Sequence, residues 1–115
     1  MEIVGGGLSG LSLGIFLRRL GVPVRILEGG SYPKHKVCGE FVCGVRDEVL
    51  VEMGIDGVLG GSVRHFEMRW WMGDDLVVCD ELPRVALGLS RYRMDAELAD
   101  VFVREGGELV TGERV

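Results

Sequence analysis

The chain has 115 residues and a net charge of −5, from 13 basic and 18 acidic side chains. A chain of this length forms at most one domain, which buries about two thirds of its unfolded surface. With 47% hydrophobic and 27% charged residues, the composition is that of a globular protein and excludes wholesale disorder. The acidic balance, without a basic stripe, argues against a nucleic-acid partner.

The N-terminus lacks the basic segment of a signal peptide, and no apolar stretch is long enough to span a bilayer. The cysteines are Cys38, Cys43 and Cys79. Their odd number and their spacing fit neither a disulfide framework nor a zinc site, so we predict no metal. A reducing cytoplasm is the simplest location for such a protein.

The first 28 residues predict a strand, a helix and a second strand. Residues 2–4 are a short apolar run, and Ser9 to Leu20 has the pattern of a helix. We expect its buried side to consist of Leu13, Phe16, Leu17 and Leu20. Residues 22–27 are nearly all apolar, as in a parallel strand covered on both faces, and Glu28 ends this strand.

A long loop and a hairpin are predicted for the middle of the chain. Residues 29–43 read as a loop, and loops of this length in compact domains are usually functional. Residues 46–53 predict a short helix that Gly54 ends. A period of two then predicts strands over 62–72 and 76–79, joined by a Gly-Asp-Asp turn.

The last third of the chain predicts one more helix between two strands. Pro83 is expected to break the hairpin pattern, and residues 85–89 predict a separate short strand. Ser90 is a good N-cap for a helix that runs to about Glu105. The expected buried side of this helix consists of Met94, Leu98, Val101 and Phe102. Two glycines end the helix, and residues 108–111 begin another strand.

The turn between the first strand and the first helix has the spacing of a dinucleotide-binding fingerprint. Gly5, Gly7 and Gly10 fill the glycine places of G-x-G-x-x-G, and Glu28 closes the second strand 18 residues after Gly10. Gly5 would permit the tight turn, Gly7 the approach of a pyrophosphate, and Gly10 the close packing of the helix on the sheet. The alternative is a glycine-rich turn that binds nothing. The pattern predicts an α/β fold with a Rossmann-type nucleotide-binding half and a β-hairpin insertion.

A pyrophosphate at this turn would meet the free amides of Leu8, Ser9 and Gly10, at the positive end of the helix dipole. Glu28 would accept hydrogen bonds from both hydroxyls of the adenosine ribose. Gly29, the next residue in the chain, would contact the cofactor at the same place. Because a 2′-phosphate would be repelled by Glu28, we expect discrimination against NADP.

Three segments resemble the FAD-dependent oxidoreductases related to aromatic hydroxylases, flavin halogenases and geranylgeranyl reductases. The first is the glycine pattern extended by Gly14 and Gly21 as far as Glu28, a spacing typical of FAD enzymes. The second is residues 36–41, Lys-Val-Cys-Gly-Glu-Phe, similar to the K-x-C-G-E stretch of geranylgeranyl-reductase-like members. The third is residues 91–98, similar to the R-x-x-[hydrophobic]-D-x-x-L helix start of the family.

This resemblance implies FAD as the cofactor and allows NAD(P)H as a transient reductant. It implies a parent flavin-dependent oxidoreductase or monooxygenase that acts on a small aromatic, polyketide-like or isoprenoid substrate. Family members are several-fold longer, so we expect the chain to be a fragment of an FAD/NAD(P)-binding domain that is inactive by itself. Residues 62–82 would contribute to a substrate-binding sheet. Two alternatives stay open: a fragment of an NAD-dependent Rossmann enzyme, and a non-catalytic truncated remnant.

Four further residues are candidate cofactor contacts. Arg91 lies in the first turn of a helix, where acids are preferred, and this suggests a nearby anion such as the flavin diphosphate. The alternative is a solvated surface arginine. Lys36, Cys38 and Glu40 are expected near the flavin ring or its ribityl chain, because their loop leaves the strand end where ligands bind. The alternative is an ordinary loop with an inert thiol.

Two adjacent tryptophans point to opposite faces of a predicted strand. Trp70 or Trp71 could form the floor of a substrate pocket, or both could pack in the core. No residue of the chain is assigned as a catalytic acid or base.

Overall fold

The computed structural model describes residues 1–38 and 40–113, so Gly39 of the predicted loop lies outside the described residues. The strands are β1 (Glu2–Val4), β2 (Arg25–Glu28), β3 (Phe41–Val42), β4 (Val63–Met72), β5 (Asp75–Gly88) and β6 (Glu108–Thr111). The helices are α1 (Leu8–Arg19), α2 (Asp47–Met53), α3 (Asp56–Leu59) and α4 (Arg91–Arg104). One sheet is parallel, in the order β1-β2-β6, and the other is antiparallel, in the order β3-β5-β4. The expected α/β fold with a hairpin is confirmed.

The parallel sheet and α1 form the strand–helix–strand unit that the sequence predicts. Ile3 pairs with Ile26, which in turn pairs with Leu109 of β6. Because the strands run in the same direction, the segments after β1 and β2 leave the sheet at one edge. There the Gly5 amide donates a hydrogen bond to the carbonyl of Leu27 at 2.8 Å. This edge is the one where ligands bind in open α/β sheets.

The buried face of α1 agrees with the predicted one only in part, since Leu17 packs against the core. Leu11 and Ile15 are fully buried, whereas Leu13 and Leu20 are 47% and 63% exposed. Gly14 is buried where an added Cβ would meet side chains of β2 and α4. The buried face is therefore set by contacts with two other elements, which the helical period of α1 alone does not reveal.

Helix α4 begins where its cap predicts. The amide of Tyr92 donates to the Ser90 hydroxyl at 3.2 Å, as an N-cap requires. Met94, Leu98 and Phe102 are at most 3% exposed, and they join a core shared with α1, β2, α2 and α3. Helix α3 was not predicted, since four residues are too few to show a period. Among the described residues, no helix has the length and apolar character needed to cross a membrane.

The expected break at Pro83 is wrong, because β5 continues through it as one strand. The register shifts between the pairs His65–Ala86 and Glu67–Glu81, so β5 has extra residues opposite β4 there. A bulge leaves residues outside the ladder, and a proline within it costs no strand-pairing hydrogen bond.

The hairpin of β4 and β5 is exposed on both faces over most of its length. Trp70 and Trp71 are 62% and 54% exposed. The interpretation that these tryptophans pack in the core is therefore wrong for the part of the chain that the structure describes.

Candidate functional site

The glycine turn has the geometry that its spacing predicts. Gly5 adopts a φ of +99°, in the left-handed region that glycine tolerates best. A Cβ on Gly10 would overlap the carbonyl oxygen of Gly5, so the backbone of α1 lies directly against the turn after β1. The tight turn and the close packing of the helix are both observed, and they expose the first turn of α1 at the sheet edge.

The N-terminus of α1 is open to an anion. Its N-cap, Gly7, is extended, and within the described residues no side chain caps the helix and no acid lies in its first turn. The amides of Leu8, Ser9 and Gly10 are among the first four of the helix, which have no intrahelical acceptor. Uncapped amides and the helix dipole together favour a phosphate group at this place.

Glu28 is held against this turn by backbone amides. The Gly6 amide donates to its Oε2 and the Gly30 amide donates to its Oε1, both at 2.8 Å. The exposed Gly29 lies between Glu28 and Gly30 in the chain. These hydrogen bonds fix the carboxylate at the carboxyl end of β2, and the sequence did not predict them.

Tyr32 is a residue of the site that the sequence analysis missed. Its hydroxyl donates a hydrogen bond to the carbonyl of Gly6. Burial raises the pKa of this phenol, and the negative charges of Glu28 and Asp95 raise it further, so the hydroxyl stays protonated. A single tyrosine in a long loop carries no sequence signal for this contact.

The loop after β2 joins α4 through a buried carboxylate. Asp95 has a side chain only 1% exposed, and its Oδ1 and Oδ2 accept from Nε and a terminal nitrogen of Arg91 at 2.7 and 2.9 Å. Lys36 Nζ lies 3.0 Å from Oδ2 of the same carboxylate. Burial raises the pKa of Asp95, but the hydrogen bonds and charges of Arg91 and Lys36 outweigh it, and the pKa is lowered. The carboxylate is therefore ionised at neutral pH.

The Lys36 ammonium also lies beside the glycine turn. Its Nζ is 3.7 Å from the point that a Cβ on Gly7 would occupy. Lys36 therefore connects the buried carboxylate of Asp95 with the turn that the fingerprint assigns to a pyrophosphate. The sequence predicted no separate role for Asp95, which lies within the resembling segment 91–98. Its spacing of four residues from Arg91 on one helix was the available signal for the pair.

Cys38 and Glu40 also contact Arg91. The Glu40 amide donates to the sulfur of Cys38 at 3.4 Å, and Glu40 Oε1 accepts from the Arg91 amide at 3.2 Å. The hydrogen bond from the Glu40 amide and the nearby Arg91 guanidinium lower the pKa of the Cys38 thiol. The side chain of Arg91 is only 15% exposed, so the interpretation of a solvated surface arginine is wrong.

Contacts thus connect the predicted site residues along one edge of the parallel sheet. Glu28 contacts the glycine turn, Lys36 lies beside Gly7, and Arg91 follows through the carboxylate of Asp95. The arrangement presents backbone amides, two cations and a fixed carboxylate at the carboxyl ends of β1 and β2. It can bind an anion next to a hydroxyl-bearing group.

Residues 3–68, more than half of the chain, match the family described as the NAD(P)-binding Rossmann-like domain. The chain belongs to this family. The menaquinone reductase of Mycolicibacterium smegmatis is 22% identical over 117 residues, which cover 98% of this chain and 29% of that protein. Conditioned medium factor receptor 1 of Dictyostelium discoideum is 40% identical over 52 residues, 45% of this chain and 10% of the relative.

Among solved structures, the tetrameric form of 2-methyl-3-hydroxypyridine-5-carboxylic acid oxygenase is similar, with a TM-score of 0.82 and 25% identity. The match covers 96% of this chain and 30% of that one. The resemblance to oxidoreductases is confirmed, since a reductase matches in sequence and an oxygenase matches in structure over almost the whole chain. The chain spans less than a third of either protein.

Proposed function

We propose that the chain is the FAD-binding portion of a flavin-dependent oxidoreductase or monooxygenase. The observation that supports this proposal most directly is the hydrogen bond between Glu28 and Gly6, beside the uncapped N-terminus of α1. A carboxylate that can accept hydroxyl groups therefore lies next to free helix amides that favour a phosphate, which matches the order of ribose and diphosphate in a dinucleotide. The flavin would supply the redox chemistry, while the protein binds and orients it.

The adenosine half would bind at Glu28 and Gly29. Each carboxylate oxygen of Glu28 accepts one backbone amide in the structure and has a further lone pair. These lone pairs can accept the two ribose hydroxyls. A 2′-phosphate would meet the same charge, so NADP should be disfavoured here.

The diphosphate would lie over the glycine turn. The amides of Leu8, Ser9 and Gly10 would donate to its oxygens, with Gly7 leaving room for their approach. Lys36 is the nearest cation to this place, and Arg91 adds positive charge behind it. The buried carboxylate of Asp95 offsets part of this positive charge.

The flavin half would extend toward Cys38 and Glu40, beyond Arg91. Residues 62–82 would belong to a substrate-binding sheet, and the exposed Trp70 and Trp71 supply apolar surface for such a role. The relatives include a menaquinone reductase and a pyridine-carboxylic acid oxygenase. The quinone and the pyridine in these names favour a small organic substrate. We propose an aromatic, polyketide-like or isoprenoid one, with NAD(P)H as a transient reductant. Three exposed free cysteines favour a reducing cytoplasm.

An NAD-dependent Rossmann enzyme is the second candidate, and the NAD(P)-binding description of the matched family favours it. The order of helices and strands along the chain favours an FAD enzyme instead. In an NAD domain, β2 would normally lead straight into a helix and the next parallel strand. Here an antiparallel sheet and three helices intervene before β6 pairs with β2.

The test is a fluorescence titration of the purified chain with FAD, followed by competition with ADP, FMN and NAD. We expect FAD emission to change on binding, and ADP to reverse the change because it carries the adenosine diphosphate half. FMN should not compete, since it lacks the adenosine. Binding of NAD without binding of FAD would support the second candidate, and binding of neither would contradict the proposed site.

A further inference from the structure

An ionised carboxylate in the core is costly unless it is paired on both oxygens. Asp95 lies on the buried face of α4, between Met94 and Leu98 in the chain, and its side chain is 1% exposed. An apolar residue at this position of the core would carry no electrostatic cost. The three hydrogen bonds that it accepts instead come from Arg91 and Lys36.

The two cations use this carboxylate differently. Arg91 is one turn earlier on the same helix and donates through two nitrogens, one to each oxygen. That bidentate pair fixes the plane of the carboxylate. Lys36 comes from the loop after β2 and contacts Oδ2 alone, so its ammonium keeps two further donors.

Those remaining donors are beside Gly7, where the proposed diphosphate would lie. Without the carboxylate, Lys36 and Arg91 would be two like charges close to each other, and the loop would lose the ion pair that joins Lys36 to α4. Arg91 therefore orients Asp95, and Asp95 in turn holds Lys36 at the glycine turn.

We infer that Asp95 is a positioning residue of the nucleotide site, which holds the Lys36 ammonium beside Gly7 to receive a diphosphate. The identity of the anion rests on the proposed function, but the placement of Lys36 does not. The two parts are therefore measured separately, the placement of the loop without any ligand and the affinity with ADP.

The first measurement is limited trypsin digestion of the free protein, followed by mass spectrometry of cleavage after Lys34. Asp95→Asn keeps the shape of the side chain but turns one acceptor into a donor, so one cation loses its partner. We expect cleavage after Lys34 to become several-fold faster. Asp100→Asn is the matched control, because Asp100 is an exposed residue of the same helix. In this variant, cleavage after Lys34 should be as fast as in the wild type.

The second measurement is the affinity for ADP in a double-mutant cycle of Asp95→Asn and Lys36→Met. Each single change should weaken binding by about tenfold, the scale of a charged hydrogen bond. The double variant should be no weaker than either one, because Lys36 is already displaced when Asp95 is changed. Arg104→Met, which removes a positive charge from the exposed last turn of α4, should change the affinity by less than about twofold.

Additive losses in the cycle, or wild-type cleavage in Asp95→Asn, would overturn the inference. If Asp95→Asn does not fold, cleavage after Lys34 in Lys36→Met decides, since this change in the loop after β2 removes the same ion pair. Faster cleavage there supports the inference and an unchanged rate overturns it. If the wild type does not bind ADP at all, the proposed function fails, while the digestion still tests how Asp95 places the loop.

Discussion

The Gly6 amide donates a hydrogen bond to Glu28 Oε2 at 2.8 Å, which joins the turn after β1 to the end of β2. The Gly30 amide binds the other oxygen of the same carboxylate at 2.8 Å. The acid of the fingerprint is thus part of the turn itself. It fixes the turn, and in the proposed site it would also accept the ribose hydroxyls.

Replacing Glu28 with alanine should therefore lower both stability and FAD affinity. Two backbone amides lose a charged acceptor, and we expect the free energy of unfolding to fall by about 1–3 kcal/mol. Urea unfolding and FAD titration measure the two effects. Glu108→Ala is the control, since Glu108 is 65% exposed and pairs only with Arg25 among the described residues. Equal results for the two variants would contradict the role given to Glu28.

Substitution of Gly10 tests the contact between helix and turn. A Cβ at Gly10 overlaps the Gly5 carbonyl, so Gly10→Val should cost roughly 1–3 kcal/mol of stability from overpacking and should weaken FAD binding. Gly57→Ala is the matched control. An added Cβ there has no neighbour within 4 Å among the described atoms, so Gly57→Ala should leave stability unchanged or raise it slightly. Normal stability and affinity in Gly10→Val would show that α1 does not pack as described.

Arg91 and Arg93 lie two residues apart on α4 and make different contacts. Arg91 binds the buried Asp95, whereas Arg93 pairs at the surface with Glu97. We expect Arg91→Ala to weaken FAD binding by roughly 1–3 kcal/mol, because the cation and the orientation of Asp95 are both lost. Arg93→Ala should cost less than about 1 kcal/mol, as exposed ion pairs usually do. Similar losses for the two variants in an FAD titration would remove Arg91 from the site.

The ion pairs of Asp95 predict how stability depends on pH. Because its pKa is lowered in the folded state, the unfolded chain binds the proton more readily. The stabilisation is fully present above the unfolded pKa, about 3.9, and is lost as the pH falls through the lower folded value. Urea unfolding of wild type and Asp95→Asn should give a constant difference above about pH 5 that narrows below about pH 4. A difference that widens on acidification would contradict the ionised, paired carboxylate.

The sequence predicts best those structural features that are determined by residues close together in the chain. The glycine turn and the Ser90 cap depend on residues close together in the chain, and both are observed. The contacts of Tyr32 with Gly6 and of Lys36 with Asp95 join distant segments, so no local pattern predicts them. The wrong prediction of a break at Pro83 has the same cause. The bulge that accommodates this proline depends on how β5 pairs with β4, which the residues next to Pro83 do not reveal.

The most direct test of the central claim is an NMR titration of the ¹⁵N-labelled chain with ADP, FAD and FMN. If the glycine turn binds the adenosine diphosphate half of FAD, ADP and FAD should shift the amides of Gly6, Gly7, Leu8, Ser9 and Gly10. FMN should leave these signals in place, since it lacks the adenosine. Unchanged signals with ADP and FAD, or equal shifts with FMN, would contradict the claim.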